Sequence, residues 1–125
     1  MIVKSIELYK AGIRIDESPS NRQAVYRYIL LECEKEIEYL GKLMKVPCYG
    51  ISIVREDLKD GEVYLTEVDC IENMTTFKYK AAQLLKKLYI NLVSPIHLVD
   101  IAGCFADEWV ADFEQRKNII ETMVE

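Results

Sequence analysis

The chain has 125 residues, half of them apolar and 30% charged, which is the composition of a folded domain rather than of a disordered segment. Its formal net charge of -5 argues against nucleic acid as the main partner, because binding to phosphate backbones normally draws on a basic patch. No stretch approaches the roughly 18 consecutive apolar residues of a membrane span. The start MIVKSIELYK lacks a signal-peptide pattern. We therefore expect a single cytoplasmic domain over residues 1–125 that binds neither nucleic acid nor a membrane.

Residues 1–72 are predicted to be rich in strands. Residues 2–9 form the first predicted strand, and residues 10–22, which contain Gly12 and Pro19, predict a loop with a brief strand extension around 13–15. Residues 24–39 fit either a helix, with a capping-box-like Ser20 and Gln23, or a strand. We favour the strand because four glutamates recur at a spacing of two, which places them on one face of a strand. They are Glu32, Glu34, Glu36 and Glu38.

The opposite face of that strand is predicted to be apolar, with Val25, Ile29, Leu31, Cys33, Ile37 and Tyr39. A turn at Gly41 and Lys42 leads to a strand over residues 45–56, which Pro47 and Gly50 predict to be an edge strand or to carry a bulge near its start. Asp60-Gly61 is a strong hairpin signal before a strand over residues 63–71. These turns predict consecutive antiparallel strands.

From residue 74 to residue 125 the apolar spacing is helical. Thr75 or Thr76 is predicted to cap a helix. Its apolar stripe comprises Phe77, Ala81, Leu84, Leu85, Leu88 and Leu92. The Ser94-Pro95 pair predicts the start of the next helix, which Gly103 is expected to break. Its expected apolar positions are Ile96, Val99, Ala102, Ala106, Trp109, Val110 and Phe113. Lysines in the first helical segment and acids after residue 106 are expected to attract each other.

The fold class that follows is α+β. An antiparallel sheet of about four strands in the N-terminal part is packed by two or three C-terminal helices in a two-layer sandwich, since the apolar stripe must be buried and the sheet is the available surface.

The order of these segments resembles a known group of sequences. The stretches YGISIVRED, LVSPIHLVDI and DEWVADF, with the Asp-Gly hairpin between the first two, are similar to a small uncharacterised bacterial family, a domain of unknown function from anaerobic, often spore-forming Gram-positive bacteria. The resemblance covers the chain from about Tyr26 onward. It implies the same layout and a cytoplasmic location, and it carries no catalytic residue, cofactor or substrate.

The segment SPIHLVD holds the only histidine and is the first place to look for chemistry. His97 lies three residues before Asp100 and seven before Cys104, so a nucleophile pair or a polar pocket is conceivable. Such spacing is weak evidence, because active sites also need an orienting group and an oxyanion hole. We interpret Ser94 and His97 as residues of a junction where two helices meet, with His97 in a capping and hydrogen-bond arrangement.

The cysteines do not indicate a metal site or disulfides. Cys33, Cys48, Cys70 and Cys104 are widely spaced, without a C-x-x-C motif, and are predicted to be buried reduced thiols. Phosphate loops and nucleophile elbows are absent. We expect no catalytic, cofactor-binding or metal-ligating residues and no cofactor.

Two features could recognise a partner. Trp109 lies beside several acids on a helix and is expected to be core, although an exposed position would suit a partner protein. The glutamate row is interpreted as a solvated face, with recognition of a basic partner as the alternative. The sequence thus predicts a non-enzymatic regulatory or adaptor domain that binds another protein or itself. The alternative is a small-molecule-binding or hydrolytic domain with a pocket around His97, Asp100 and Cys104.

Overall fold

The computed structural model describes residues 1–15 and 21–124, and the surroundings of side chains as far as residue 117. The elements, in chain order, are β1 (Ile2–Arg14), β2 (Arg22–Tyr39), β3 (Lys42–Lys59), β4 (Glu62–Thr75), α1 (Lys78–Ile90), a 3-10 turn (Pro95–His97), α2 (Leu98–Glu108) and α3 (Val110–Val124). The strands form one antiparallel sheet in the order β1-β2-β3-β4. The predicted α+β class, a four-stranded sheet followed by C-terminal helices, is confirmed.

The longest pairing joins β2 to β3. It runs from Arg22 opposite Lys59 to Tyr39 opposite Lys42 without a register shift, so the strand interpretation of residues 24–39 is confirmed. The connecting turn is Leu40-Gly41, one residue earlier than predicted, and both residues have positive φ, as the tight turns of hairpins require. The predicted hairpin at Asp60-Gly61 is confirmed, and both of these residues also have positive φ.

Helices α1 and α2 pack on the face of β2 opposite to the predicted one. Tyr28 and Leu30 are fully buried against Leu85 and Leu88 of α1, whereas Ile29, on the predicted apolar face, is only partly buried. The prediction was wrong because both faces of β2 carry apolar side chains, so alternation identified the glutamate row but not the covered face. By alternation, Glu32 shares the face of Tyr28 and Leu30.

A second, smaller cluster joins the opposite face of β2 to α3. It contains Leu31, Cys33, Cys48 and Phe113, with Ile29 packed against it. Phe113 therefore anchors α3 at the end of the sheet, while α1 and α2 cover the main core.

Strand β3 was predicted to be an edge strand or to carry a bulge near its start, and it is internal. The β3–β4 register does shift at the predicted place, between Tyr49 and Ile51, but the extra residues lie in β4, which advances from Thr75 to Ile71 over the same step. Tyr49 is the last residue of β3 that pairs with β4. Pro47 lies outside that pairing, so β4 requires no backbone N–H from Pro47. At Gly50 the bulged strand comes so close that a Cβ atom would collide with the Ile71 carbonyl oxygen and lie 2.9 Å from the Glu72 Cα.

Several element boundaries differ from the predicted ones. Residues 10–14 belong to β1 rather than to a loop, and residues 16–20 of the predicted loop lie outside the described residues. Strand β4 continues to Thr75, past the predicted change to helix near residue 73. Helix α2 runs through Gly103, and the break falls at Trp109, where the helix ends. A single glycine costs only about 1 kcal/mol in a helix, which packing outweighs here.

The predicted stripes are only partly buried. In α1 the buried residues are Ala81, Leu84, Leu85 and Leu88, as expected. In the second helical segment Leu98 and Ala102 are buried, but Ile96, Val99 and Val110 are exposed, which corrects their predicted core positions. Apolar residues at helical spacing occur on more than one face of α2. The face that carries Leu98 is the buried one, because it contacts β4.

The close approach at Gly50 gives a direct test. Gly50→Ala is expected to lower the free energy of unfolding by about 3 kcal/mol, because the neighbouring backbone of β4 must move. Gly103→Ala is the matched control, since its Cβ would meet only Val99 at an ordinary 3.7 Å. This control should raise stability by up to about 1 kcal/mol through helix propensity. Urea unfolding of both variants measures the difference, and equal effects would contradict the account of the bulge.

Candidate interaction surface

The β2–β3 hairpin extends beyond both of its neighbours. On one side β1 ends beside Glu34, whose backbone N–H donates to the Met1 carbonyl at 2.9 Å. On the other side β4 ends opposite Tyr49. Residues 35–46 consequently form a two-stranded segment with no third strand among the described residues, which we call the arm. Leu40 and Leu43 at its tip are 78% and 71% exposed.

The glutamate row runs along one face of this hairpin, as predicted, and reaches the arm. Glu32 lies 3.9 Å from Lys78 Nζ at the start of α1, and Glu34 lies 3.9 Å from Lys45 Nζ on the paired strand. Glu36 and Glu38 are exposed and make no salt bridge with the described residues. The row therefore divides into two acids near the core that lie within 4 Å of a lysine and two exposed acids on the arm that make no such contact, although Lys45 stands opposite Glu36 in the strand register.

A buried carboxylate holds α3 near the base of the arm. Asp112 Oδ2 accepts a hydrogen bond of 2.6 Å from the Thr75 hydroxyl, and Oδ1 lies 2.7 Å from Lys80 Nζ. Thr75 Oγ1 in turn accepts from the Phe77 backbone N–H at 3.0 Å. One side chain thus links α3 to the end of β4 and the start of α1. The expected attraction between the lysines and the later acids is realised in this Lys80–Asp112 pair.

Thr75 acts at the start of α1 without being its N-cap. The N-cap residue is Phe77, and the Thr75 hydroxyl supplies the acceptor for its N–H. Thr75 or Thr76 was predicted to be the N-cap, but β4 continues to Thr75, and the N-cap lies two residues after it, at Phe77.

Trp109 lies between α2 and α3 and is partly buried against the main core. Its ring centroid is 5.4 Å from that of Phe105, and Lys80 Nζ lies 5.9 Å from its ring centre. Trp109 contributes to packing near the Lys80–Asp112 pair, so a substitution there changes the core as well as the surface.

The SPIHLVD segment forms a junction, but His97 and Asp100 in it are exposed. Ser94 precedes the 3-10 turn and His97 precedes α2, and neither makes a side-chain capping hydrogen bond, contrary to the expected role of His97. His97, Asp100 and Cys104 are all exposed. Seven helical residues span about 10 Å, so His97 and Cys104 stand too far apart for a direct hydrogen bond. The fold at this junction is instead held by Tyr28, whose hydroxyl donates to the Val93 carbonyl at 2.9 Å.

One cleft of the described structure lies elsewhere. It has a volume of about 200 Å³ and lies between β3, the start of α1 and α3. Its lining residues are Pro47, Tyr49, Thr76, Phe77, Gln115 and Arg116. Within the described part of the chain, no group of three or more histidine, cysteine or acidic residues is arranged to hold a metal ion. None of the described helices combines the length and apolar character that a membrane span requires.

The cysteines fall into two classes, which corrects the prediction that all four are buried. Cys33 and Cys48 are buried and lie directly opposite each other on β2 and β3, whereas Cys70 and Cys104 are exposed. Burial raises the pKa of the Cys48 thiol to about 11. Its Sγ donates to Asn73 Oδ1 at 3.1 Å. A neutral, hydrogen-bonded thiol of this kind is chemically inert.

The fold and the site define an α+β domain with a projecting β2–β3 hairpin, the arm, which carries Glu36 and Glu38 on one face. A model of a family of unknown function, DUF6514, matches residues 11–109, and the chain therefore belongs to this family. The match begins within β1, ahead of the Tyr26 start of the resemblance seen in the sequence, and ends at Trp109, so α3 lies outside it. No match to this chain was found among curated proteins or among solved structures.

The Lys80–Asp112 pair should matter far more than a surface pair on the same helix. Lys80→Met keeps the aliphatic stem but leaves the Asp112 carboxylate buried without its cation, and we expect a loss of about 2–3 kcal/mol in the free energy of unfolding. Lys78→Met removes only an exposed pair and should cost less than about 1 kcal/mol. Denaturant unfolding of both variants decides this, and a Lys78 effect as large as that of Lys80 would refute the role given to Asp112.

Thiol accessibility tests the two cysteine classes. In the native protein, iodoacetamide at pH 8 should modify Cys70 and Cys104 and leave Cys33 and Cys48 unmodified, because the latter thiols are buried and that of Cys48 stays protonated. All four should react in denaturant. Peptide mass spectrometry identifies the sites, and native modification of Cys48 at the rate of Cys104 would contradict the burial described.

Proposed function

We propose that this chain is a cytoplasmic, non-enzymatic regulatory or adaptor domain that acts by binding another protein through the arm. The observation that carries the proposal is the combination found there, namely two exposed carboxylates without a salt bridge beside two exposed leucines, on a hairpin that no third strand of the described residues flanks. Exposed apolar side chains bordered by charge are typical of protein-binding surfaces.

The arm also suggests the chemistry of the partner. Glu36 and Glu38 lie on one face and favour a basic surface, while Leu40 and Leu43 offer apolar contact at the tip. Opposite charge accelerates association and selects the partner, and the apolar contact supplies binding energy. We infer a partner with a basic patch that surrounds an apolar pocket.

The C-terminal part of α2 contributes less to this proposal than the sequence suggested. Trp109 is packed against the core, so it does not offer a free aromatic anchor. The alternative of a small-molecule-binding or hydrolytic domain around His97, Asp100 and Cys104 finds no support in the exposed positions of these side chains.

A photo-crosslinking experiment in native host cells tests the proposal. With benzoyl-phenylalanine in place of Leu43, the chain should form an adduct with a specific protein that carries a basic surface. The double change Glu36→Gln and Glu38→Gln should reduce the adduct about tenfold, because it removes the attracting charge without adding a new one.

The matched control is Glu108→Gln at the exposed end of α2, which should leave the adduct unchanged. With the partner purified, the difference between the double variant and the parent chain should shrink as salt screens the charges. Adducts that persist in the double variant, or that fall equally in the Glu108 variant, would refute recognition through the arm.

A further inference from the structure

The two edges of the sheet carry opposite charge. Strand β1 bears Lys4, Lys10 and Arg14 against one acid, Glu7, which is already engaged by Arg27 at 2.8 Å. Strand β4 bears four acids and no base. They are Glu62, Glu67, Asp69 and Glu72. The side chains that would meet a neighbour are therefore basic at one edge and acidic at the other.

Both edges are also open and apolar. Residues 62–68 of β4 are exposed without interruption, and Val68 is 60% exposed. On β1, Ile2, Val3 and Leu8 are exposed as well. The outward backbone N–H and C=O groups of an edge strand are a template for pairing with another strand, and charge on the edge decides which strand is admitted.

The topology fits a pairing between these two edges. Because the order β1-β2-β3-β4 is antiparallel throughout, β1 and β4 run in opposite directions. A second copy that placed its β1 beside β4 of the first would continue the sheet as another antiparallel pair. We propose that copies of this chain associate edge to edge, with β1 of one copy pairing with β4 of the next.

Charge excludes the two symmetric alternatives. A β4–β4 pair would set carboxylates against carboxylates, and a β1–β1 pair would set lysines against lysines, both of which are unfavourable directly across a strand pair. Only β1–β4 brings opposite charges together. Among the described residues, Lys4, Lys10 and Glu67 make no salt bridge within the chain.

This association has a defined symmetry consequence. A head-to-tail contact leaves one free β1 and one free β4 at the ends, so it grows with concentration unless a ring closes. The arm lies at an end of the sheet and not along its edges. The association is thus independent of the proposed binding through the arm, and either can fail without the other.

Two charge variants of the full chain test the pairing. The first variant carries Lys4→Glu and Lys10→Glu, so both of its edges are acidic. The second carries Glu62→Lys, Glu67→Lys and Glu72→Lys, which leaves Asp69 as the one acid of β4 and makes both edges basic. Each alone should be monomeric by light scattering at concentrations where the parent chain assembles, with its association weakened at least tenfold. Mixed in equal amounts, the two should assemble again, because each acidic edge meets a basic one.

Lys86→Glu, an exposed change on α1, is the control and should assemble like the parent. Circular dichroism of each variant checks that the fold is retained, and the assembly of the mixture should weaken as salt is added. A parent chain that stays monomeric at millimolar concentration would overturn the proposal. So would variants that assemble alone, or a mixture of folded variants that does not.

Discussion

The continuous pairing of β2 with β3 is the constraint on which the rest of the structure depends. Because the register holds from Arg22–Lys59 to Tyr39–Lys42, it fixes which side chains of both strands share a face. Tyr28 and Leu30 then stand beside Ile53 and Ile51, and this surface receives α1 and α2. Among the described residues the same pairing extends past its last contacts with β1 and β4, and this end is the arm.

The helices are held to this sheet by contacts of different character. Leu85 and Leu88 belong to the apolar stripe that packs α1 on the sheet, but this contact does not determine the position of α3. Asp112 of α3 helps to fix that position, since its carboxylate binds both Thr75 and Lys80, which lie in two different elements. A buried charge is costly unless it is paired and hydrogen-bonded, so this arrangement strongly disfavours other positions of α3.

The sequence predicted the order and type of the elements well, because Asp60-Gly61 and the apolar stripe of α1 are local signals. It also placed four glutamates on one strand face, because residues two apart in a strand point to the same side of the sheet. It predicted an irregularity at Gly50 but assigned the bulge to β3, whereas the extra residues lie in β4. For His97 it predicted a capping and hydrogen-bond role, whereas the side chain is exposed and makes no capping hydrogen bond.

Only part of the candidate surface could be predicted from the sequence. The glutamate row was found, but the division between Glu34 and Glu36 depends on where β1 and β4 end. No local pattern in the chain reports the end of a neighbouring strand. The exposure of Leu40 and Leu43 has the same origin, because their surroundings are set by strands that stop short of them.

The central claim is that residues 35–46 form an arm whose backbone pairs with no third strand among the described residues. Native-state amide hydrogen exchange followed by NMR tests this most directly. A two-stranded segment is marginally stable by itself, so amides of the arm should open locally and exchange at least a hundredfold faster than those of residues 28–31 and 51–54. Equal protection of the arm and the central strands would contradict the account.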